Sequence, residues 1–321
     1  MKVLLTGITG FIGSHVARQL IETDCEIYGL VREHSSLWRI EDIQSSLKLV
    51  QGDLSDTVAL KDLMTSLKPD VCLHLAWFAE PGVYVNSMQN LDVLSASLRL
   101  AALAARSGCK YFMGVGTCFE YDLSYGYLSE STPVKPQSLY AGSKLAFKFV
   151  LDQIALTTGL ETAWVRLFYQ YGAYEDKRRV VPAVITSLLS NQKQKLTLGE
   201  QIRDYLHVED VASAIAAIFR ERVTGEVNIG SGNPITIRNL TMKIGALLGR
   251  TDLLEYGAIP YNLDEPMFVC ANNRRLVEKT GWKPCFDLEE GLLRTIHWWQ
   301  KQIHLPDASP SVFLADNPGK K

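Results

Sequence analysis

The feature that most constrains the fold is a glycine-rich turn placed directly after the first apolar segment. Val3-Leu4-Leu5 is predicted to form a strand, and Thr6-Gly7-Ile8-Thr9-Gly10-Phe11-Ile12-Gly13 then leads into a helix. Gly7 permits a tight turn, Gly10 lets backbone amides approach a pyrophosphate, and Gly13 lets the helix pack closely on the strand. The helix N-terminus favours an anion at the same place. This order of elements predicts a dinucleotide-binding unit, and the alternative is an ordinary strand-to-helix turn.

Short apolar segments alternate with helical periodicities through the first half of the chain, as expected of a parallel sheet flanked by helices. Apolar residues at three- and four-residue spacing from Leu91 to Ala105 predict one helix, and another begins near Ser138. Further helices are predicted at 208–220 and 237–248. Further strands are predicted at 27–31, 48–50, 71–75, 111–115 and 162–166.

The predicted fold is therefore of the α/β class, with a Rossmann-type doubly wound parallel sheet and a smaller α/β substrate-binding lobe. Residues 1–170 are expected to form the NADP-binding domain, to which later segments return. Residues 171–305 would form mainly the substrate-binding lobe. The segment 306–321, rich in Pro, Ser and Asp, is predicted to be a loosely ordered tail.

Composition excludes several classes of function. The 321 residues carry 33 Lys and Arg against 35 Asp and Glu, a net charge of −2, which gives no general attraction to nucleic acid or to an anionic membrane. Apolar runs fall short of the ~20 residues that a membrane-spanning helix needs, and no signal peptide is recognised, so a cytoplasmic location is predicted. The six scattered cysteines show no CxxC spacing and no histidine cluster, so we expect no metal site and no disulfide framework.

The end of the second predicted strand bears on the choice of cofactor. An acidic residue there would hydrogen-bond the ribose 2′-hydroxyl of NAD, whereas this chain has Arg32 followed by Ser35 and Ser36. A guanidinium and hydroxyls suit a phosphate monoester, so NADP(H) is preferred and NAD(H) is possible. Alternatively, Arg32 stacks on adenine or lies in solvent. Asp53-Leu54 could hold the adenine edge, or Asp53 could cap the next helix.

Tyr140 and Lys144 are four residues apart at the start of a predicted helix, which places both on one helix face. A fixed cation would lower the pKa of the phenol and let Tyr140 exchange a proton near neutral pH, while Lys144 could also hold a nicotinamide ribose. Thr117 follows the predicted strand 111–115 at the carboxyl edge of the sheet, where it could donate a hydrogen bond to a substrate oxygen. The alternatives are surface residues for the pair and a turn hydroxyl for Thr117.

With these motifs, the chain resembles the extended short-chain dehydrogenases/reductases of the nucleotide-sugar epimerase/dehydratase family from Met1 to about Trp299. Asn90 at the start of a helix also fits the family. The other matching segments are His74-Leu75-Ala76, Arg166-Leu167-Phe168-Tyr169-Gln170-Tyr171-Gly172, Arg179-Val180-Val181-Pro182, the segment 203–212, Asn228-Ile229-Gly230 and Gly281-Trp282-Lys283-Pro284.

The resemblance implies a nicotinamide cofactor across the sheet, a nucleotide diphosphate sugar in the second lobe, and a homodimer formed through helices 90–106 and 140–158. By position, Thr117, Tyr140 and Lys144 would be catalytic, with Arg203 a phosphate partner or else a surface ion pair with Asp204 or Glu209. The implied cofactor residues are Gly7, Thr9, Gly10, Phe11, Ile12, Gly13, Arg32, Ser35, Asp53, Leu54, Leu75, Ala76, Tyr140, Lys144 and Phe168. The implied substrate residues are Cys118, Phe119, Tyr169, Arg179, Val180 and Arg203.

Departures from the family pattern refine the expected reaction. The sugar 4,6-dehydratases of the family carry an Asp-Glu pair where this chain has Cys118-Phe119. Elimination of water needs an acid and a base that neither residue supplies, so dehydration is disfavoured. Tyr169 replaces the usual asparagine, and Tyr261 stands where many epimerases have an arginine. These changes bear on how nucleotide and sugar are held.

Three hypotheses follow. The first is an NADPH-dependent 4-ketoreductase acting on a nucleotide-linked 4-keto-6-deoxyhexose, because Arg32, Ser35 and Ser36 resemble the NADP-using GDP-mannose dehydratase and GDP-4-keto-6-deoxymannose reductase branch. The second is an NAD-dependent nucleotide-sugar 4-epimerase that uses the same three residues. The third is a non-catalytic dinucleotide sensor, which the joint presence of Thr117, Tyr140 and Lys144 argues against.

Overall fold

The computed structural model describes residues 1–262 and 265–303, and the predicted tail 306–321 lies outside them. The strands are β1 (Lys2–Thr6), β2 (Glu26–Val31), β3 (Lys48–Gln51), β4 (Val71–His74), β5 (Tyr111–Thr117), β6 (Tyr127–Leu128), β7 (Glu161–Leu167), β8 (Tyr169–Tyr171), β9 (Gln194–Lys195), β10 (Ile202–His207), β11 (Gly225–Ile229), β12 (Pro234–Thr236), β13 (Leu254–Glu255) and β14 (Phe268–Ala271). The α-helices are α1 (Phe11–Ile21), α2 (Thr57–Leu67), α3 (Gln89–Arg106), α4 (Leu139–Thr158), α5 (Val180–Leu189), α6 (Val208–Arg220), α7 (Ile237–Leu248), α8 (Arg274–Thr280) and α9 (Leu288–Ile303).

Seven parallel strands form the main sheet in the order β3-β2-β1-β4-β5-β7-β11. The order reverses between β1 and β4, which makes this the switch point of a doubly wound sheet. Ligands of such sheets bind outside the carboxyl ends of the strands at that point. The predicted α/β class with a Rossmann-type doubly wound sheet is confirmed, and a smaller second sheet accompanies it.

Side chains alternate between the two faces of the main sheet, as the two-residue period of a strand requires. Val3 and Leu5 on β1 belong to the apolar cluster that α1 and α6 cover, whereas Leu4 belongs to the cluster beneath α2, α3 and α4. Both faces are therefore buried, which explains why the strands read as continuous apolar segments. None of the described helices combines the length and the apolar character that crossing a bilayer requires.

A smaller lobe is formed mainly by the second half of the chain, with β6 added from the first half, and the second half also returns to the main sheet. In the lobe, β12, β10, β14 and β6 form a second sheet, β8 pairs with β10, and α5, α7 and α9 share an apolar cluster. β11 pairs with β7 at the edge of the main sheet, and α6 packs on α1. The dinucleotide-binding unit is thus completed by residues far along the chain.

The predicted helices 208–220 and 237–248 coincide with α6 and α7. Several predicted strand ends are wrong by one or two residues. The two nearest the site are β4, which ends at His74 rather than Leu75, and β5, which continues beyond Val115 to Thr117. β5 is longer because its pairing with β7 continues through Gly116↔Arg166 and Thr117↔Leu167. Thr117 is therefore the last residue of a rigid strand instead of part of a loop.

Candidate active site

The glycine turn has the shape that its sequence predicts. Gly7 has a φ of 75°, and a Cβ there would lie 2.7 Å from the backbone nitrogen of Ala76, so the backbone that follows β4 leaves no room for a side chain. A Cβ on Gly13 would lie 2.0 Å from the Gly7 carbonyl oxygen. Gly10 is the N-cap of α1 and donates its N–H to the Gly7 oxygen at 2.9 Å. The N-terminus of α1 therefore faces the carboxyl edge of the sheet with closely packed backbone.

A buried hydrogen-bonded chain joins β1, β4 and α3 beneath the turn. His74 Nδ1 lies 2.7 Å from Thr6 Oγ1, and His74 Nε2 lies 2.8 Å from Ser97 Oγ, which itself donates to the Val93 carbonyl at 2.7 Å. Ser97 therefore accepts from Nε2–H, and Nδ1 accepts from Thr6. Burial lowers the pKa of His74 to about 3, and the Lys144 charge adds to this effect. His74 is thus a neutral structural residue.

Two cavities meet above this edge. The first, called here the cofactor cavity, has a volume of about 620 Å³ and adjoins the glycine turn. The second, called the lobe cavity, has a volume of about 730 Å³ and extends into the smaller lobe. Of the predicted residues, the cofactor cavity is lined by Gly7, Gly10, Phe11, Ile12, Gly13, Leu75, Thr117, Phe119, Tyr140, Lys144, Phe168, Tyr169, Arg179 and Val180. The lobe cavity is lined by Phe119, Tyr140, Tyr169, Val180 and Arg203. Tyr140 thus belongs to both.

Seven of the predicted residues lie outside both linings: Thr9, Arg32, Ser35, Asp53, Leu54, Ala76 and Cys118. Arg32 is exposed after β2, and its backbone N–H donates to Ser35 Oγ at 3.1 Å. The alternative that Asp53 caps the next helix is wrong, because Asp56 caps α2. Asp53 instead accepts two hydrogen bonds of 2.7 Å from Ser55. These bonds lower the pKa of the Asp53 carboxyl, and the nearby charge of Arg32 contributes less.

Lys144 is enclosed by groups from three elements. α4 begins at Ser138, whose hydroxyl accepts from the Ala141 N–H at 3.2 Å. One turn later, the Lys144 ammonium nitrogen donates to the Val115 carbonyl at 2.7 Å and lies 3.9 Å from the centre of the Trp77 ring. Burial lowers the pKa of Lys144 to about 7, with Glu120 opposing the shift.

The phenol of Tyr140 does not show the predicted lowering of its pKa. Burial raises the pKa, as do Tyr84, Glu120 and Cys118, and the Thr117 hydroxyl opposes them only weakly. The Lys144 nitrogen lies 5.9 Å from the centre of the Tyr140 ring. The prediction is wrong for the protein by itself, because desolvation of the phenol is the largest influence on its pKa. Tyr140 is consequently a protonated phenol, able to donate a proton.

Thr117 is held in place through both its backbone and its side chain. Its N–H donates to Glu120 Oε1 at 2.9 Å, and its Oγ1 accepts from the Phe119 N–H at 3.3 Å. Sequence reasoning missed Glu120, although Thr-x-x-Glu is the signature of a capping box.

Aromatic residues that sequence reasoning also missed form one wall of the site. The Tyr84 ring packs edge-to-face on Tyr140, with centroids 4.8 Å apart. Trp77 Nε1 donates to Asn90 Oδ1 at 2.9 Å, and Asn90 Nδ2 donates to the carbonyls of Tyr84 and Ser87. Asn90, which was predicted only to open a helix, therefore fixes this wall. Trp77 directly follows the His74-Leu75-Ala76 segment that fits the family, so this segment was the sequence signal for Trp77.

Glu175 is a further residue of the cofactor cavity for which the sequence contained no signal. It lies in the loop between β8 and α5, and its buried Oε2 has no hydrogen-bond partner. Burial raises its pKa well above the usual range for a carboxyl, with Arg179 opposing the shift. The cofactor cavity thus contains a desolvated carboxyl group.

Arg203 lines the lobe cavity but has a partner that was not predicted. Its guanidinium is 4% exposed and lies 2.9 Å from Glu265 Oε1. The alternative of a surface ion pair with Asp204 or Glu209 is wrong. Asp204 accepts from the backbone of Ser231, Gly232 and Ala271. Glu209 instead pairs with Arg294.

A doubly wound sheet with a glycine turn and a Tyr/Lys pair at its carboxyl edge defines a dehydrogenase/reductase of the short-chain type. The model of the NAD dependent epimerase/dehydratase family matches residues 3–230. The chain belongs to this family, as its motifs predicted, and it is an oxidoreductase-type enzyme of the extended short-chain class.

Several curated proteins are similar over nearly their whole length. A dTDP-D-glucose 4,6-dehydratase of Mus musculus is 28% identical, covering 94% of this chain and 90% of the relative. A CDP-abequose synthase of Salmonella typhimurium is 28% identical, covering 90% and 95%. A UDP-glucuronate 4-epimerase of Thermodesulfobacterium geofontis is 25% identical, covering 94% and 97%.

Solved structures agree with this assignment. A UDP-N-acetylglucosamine 4-epimerase from Methanobrevibacter ruminantium has a TM-score of 0.83 and 25% identity, covering 94% of this chain and 98% of that one. A UDP-glucose 4-epimerase from Thermotoga maritima has a TM-score of 0.84 at 24% identity, covering 94% and 100%, and supports the fold.

Proposed function

We propose that this protein is an NADPH-dependent reductase of the 4-keto group of a nucleotide-linked 4-keto-6-deoxyhexose. The observation that carries the proposal is the position of Tyr140, which lines both the cofactor cavity and the lobe cavity. A proton donor at that junction is within reach of a sugar carbon placed against a nicotinamide ring. The relatives named above include proteins whose names refer to nucleotide-linked sugars, which supports the substrate class.

The residues of the cofactor cavity fit a dinucleotide, because the glycine turn excludes side chains and exposes the N-terminus of α1. When bound, the nicotinamide supplies a hydride to C4 of the sugar. Tyr140 donates its phenolic proton to the C4 oxygen, Thr117 donates a hydrogen bond to the same oxygen, and Lys144 orients the ribose. The ketone thus gains a hydride and a proton and becomes a hydroxyl.

The protonated form of Tyr140 is the form that a reduction uses. Ketone reduction begins with a phenol that donates, whereas oxidation of a hydroxyl begins with a phenolate that accepts. Burial raises the pKa of Tyr140 and so favours the phenol.

The residues after Thr117 argue against dehydration. Cys118 is 1% exposed and packs in an apolar cluster, and burial raises its pKa to about 12. Phe119 lines the cavities but has no ionisable group. The next residue, Glu120, is fully buried and accepts from three N–H donors. None of the three is placed as a free acid or base.

The preference for NADPH rests on Arg32 and Ser35 at the end of β2. Arg32 is exposed and therefore available to a 2′-phosphate, while the Ser35 hydroxyl holds the turn that presents it. Isothermal titration of the purified protein should show tighter binding of NADPH than NADH. Arg32→Gln should remove the difference, and equal affinities in the wild type would contradict the preference.

The reaction is tested by following NADPH absorbance with nucleotide-linked 4-keto-6-deoxyhexoses. Turnover is expected for the wild type, together with loss in Tyr140→Phe and retention in Tyr127→Phe, because Tyr127 is exposed on β6. The proposal would be contradicted if none of these ketosugars supported oxidation of NADPH.

A nucleotide-sugar 4-epimerase is the second candidate, favoured by the similarity to a UDP-glucuronate 4-epimerase. It would retain NAD and use Tyr140 first as an acceptor and then as a donor. Identifying the dinucleotide that is released when the protein is denatured distinguishes the epimerase from the reductase. Bound NAD, without net consumption of added NADPH, would favour the epimerase.

A homodimer through α3 and α4 is part of the proposal. The two helices pack on each other and carry exposed apolar side chains, among them Leu91 on α3 and Phe149, Val150 and Leu156 on α4. Pairing of these helices in two copies would bury that surface.

A further inference from the structure

We propose that Arg39 binds the pyrophosphate of the dinucleotide in the cofactor cavity. The inference rests on the proposed function only in requiring a dinucleotide in that cavity. Arg39 lies on the loop that follows β2 and lines the cofactor cavity together with Gly10, Phe11 and Ile12 of the glycine turn. Its side chain is therefore beside the N-terminus of α1, which favours an anion.

The Arg39 guanidinium joins the glycine turn to the loop between β8 and α5. Its Nε donates to the Tyr174 carbonyl at 3.1 Å, and its Nη1 donates to the Thr9 carbonyl at 3.4 Å. Its Nη2 makes no hydrogen bond to any residue in the described ranges 1–262 and 265–303. A guanidinium carries its N–H groups in one fixed plane. Arg39 is therefore held by two of its nitrogens and can still donate to a further acceptor.

The charge of Arg39 is not matched by an acid. Within the part of the chain that the structure describes, Arg39 forms no ion pair. Two acids of the neighbouring segments are engaged elsewhere, since Asp176 pairs with Arg178 at 2.7 Å and Asp42 pairs with Arg18 at 2.5 Å. Arg39 is partly buried, so neutral carbonyls alone leave its positive charge uncompensated. A phosphate group would supply the missing negative charge and accept charge-assisted hydrogen bonds.

The position of Arg39 is fixed by its neighbours before any ligand binds. Its guanidinium carbon lies 4.6 Å from the centre of the Trp38 ring, and Trp38 packs on Tyr174 with ring centroids 5.2 Å apart. Arg18 on α1 donates to the Arg39 carbonyl at 2.9 Å and to Tyr174 Oη at 3.2 Å. A side chain that is already ordered loses little conformational entropy on binding, so this packing favours tight binding of the ligand.

Tyr174 has a backbone conformation that costs free energy. Its φ is 71°, a left-handed value that a bulky side chain rarely adopts. Its ring is enclosed by His15 and Trp298, with ring centroids 5.4 and 5.2 Å away, and its carbonyl accepts the bond from Arg39. Such strained residues cluster where a loop must hold functional groups in one place. The conformation of Tyr174 therefore supports a binding role for Arg39.

The test measures ligand binding in the absence of any sugar. Isothermal titration with NADPH, NADH and ADP-ribose uses protein freed of any dinucleotide that copurifies. Arg39→Met should weaken the binding of all three ligands at least ~10-fold, because each contains the pyrophosphate and loses a charged hydrogen-bond donor. Arg32→Gln is the matched control. It should weaken only NADPH, because only NADPH carries the 2′-phosphate.

The three ligands distinguish the possible positions of Arg39. A loss confined to NADPH would place Arg39 at the 2′-phosphate. A loss for NADPH and NADH but not for ADP-ribose would place it at the nicotinamide. Either result, or unchanged affinities for all three ligands, overturns the inference.

Two further variants separate the charge of Arg39 from its packing. Arg39→Lys keeps a cation and should bind all three ligands more tightly than Arg39→Met does. Arg18→Met removes the bonds to the Arg39 carbonyl and to Tyr174 but keeps the guanidinium in the cavity, so it should weaken binding less than Arg39→Met. Melting temperatures show whether each variant is folded. Equal losses in Arg39→Lys and Arg39→Met, or in Arg18→Met and Arg39→Met, would assign the effect to packing and overturn the inference.

The proposed reaction and the role of Arg39 fail separately. If the wild type binds the dinucleotides but reduces no ketosugar, the proposed reaction is wrong while the titrations still decide the role of Arg39. If the wild type binds none of the three ligands, the inference about Arg39 is wrong.

Discussion

Lys144 on α4 and Val115 on β5 are joined by a hydrogen bond of 2.7 Å from the ammonium nitrogen to the backbone carbonyl. The bond orients the lysine toward the carboxyl edge of the sheet, with its charge in a desolvated place. Burial therefore disfavours the charged form, which explains why the pKa of Lys144 falls to about 7.

Because Lys144 is buried, we expect Lys144→Met to have a higher free energy of unfolding than the wild type. The size of this difference should depend on pH. Between about pH 7 and the unfolded lysine pKa, the unfolded chain binds a proton that the native chain has lost, so wild-type stability rises with pH in that window. The variant has no lysine at this position, so its stability does not rise with pH for this reason. Its advantage in unfolding free energy should be largest below pH 7 and smaller by about 3 kcal/mol at pH 9.5. Urea denaturation at pH 6.5 and 9.5 measures it, and an advantage that grows with pH would contradict the prediction.

Two glycines near the site should respond oppositely to alanine. Gly116→Ala places a Cβ 2.3 Å from both Glu120 Oε1 and Trp164 Nε1, so it should destabilise the protein by several kcal/mol or prevent folding. Gly142 lies inside α4, and a Cβ added there would meet no atom within 4 Å. Gly142→Ala should therefore stabilise the helix by about 1 kcal/mol. Thermal denaturation of the two variants measures this difference. Similar melting temperatures for Gly116→Ala and Gly142→Ala would contradict the close packing at Gly116.

Asn90 should be needed for the aromatic wall of the site. Asn90→Ala removes the partners of the Trp77 indole N–H and of the Tyr84 and Ser87 carbonyls, which is expected to destabilise the protein by about 3 kcal/mol. The exposed neighbour Gln89, changed to alanine, should have little effect. Chemical denaturation compares the two. Equal stabilities would show that these hydrogen bonds contribute little.

Arg203 should contribute to binding of the nucleotide diphosphate sugar rather than of the dinucleotide. Arg203→Met is expected to raise the KM for the sugar nucleotide at least ~10-fold, because a charged hydrogen-bond donor to phosphate is lost. The affinity for NADPH should change little, since Arg203 lines only the lobe cavity. Arg294→Met, which removes an exposed pair with Glu209, is the control. A change confined to NADPH affinity would reverse the assignment of the two cavities.

The proposed dimer is tested by adding a charge to α4. Phe149 is 51% exposed on this helix, so Phe149→Glu should convert a dimer into monomers at micromolar concentration. Val58→Glu adds the same charge at an exposed position of α2 and should not. Sedimentation velocity measures both. A monomeric wild type, or a dimer that survives the Phe149 change, would refute the interface.

Much of the fold could be predicted because its signals are local. The glycine turn, the apolar strands of the buried sheet and the helices 208–220 and 237–248 depend on spacing within a few residues, and the structure has them. The end of β5 could not be predicted, because Thr117 continues the strand only by pairing with Leu167, fifty residues later. The ion pair of Arg203 could not be predicted either, because its partner Glu265 lies in a distant loop.

The order of short-range signals along the chain was enough to determine the doubly wound sheet, the glycine turn and the presence of Thr117, Tyr140 and Lys144 at one edge. Only the tertiary structure decided the protonation of these groups. Desolvation depends on what packs around a side chain, and the closure of α4 over β5 is not visible in spacing. The phenol that the sequence suggested would be acidic is, for that reason, held in its protonated form.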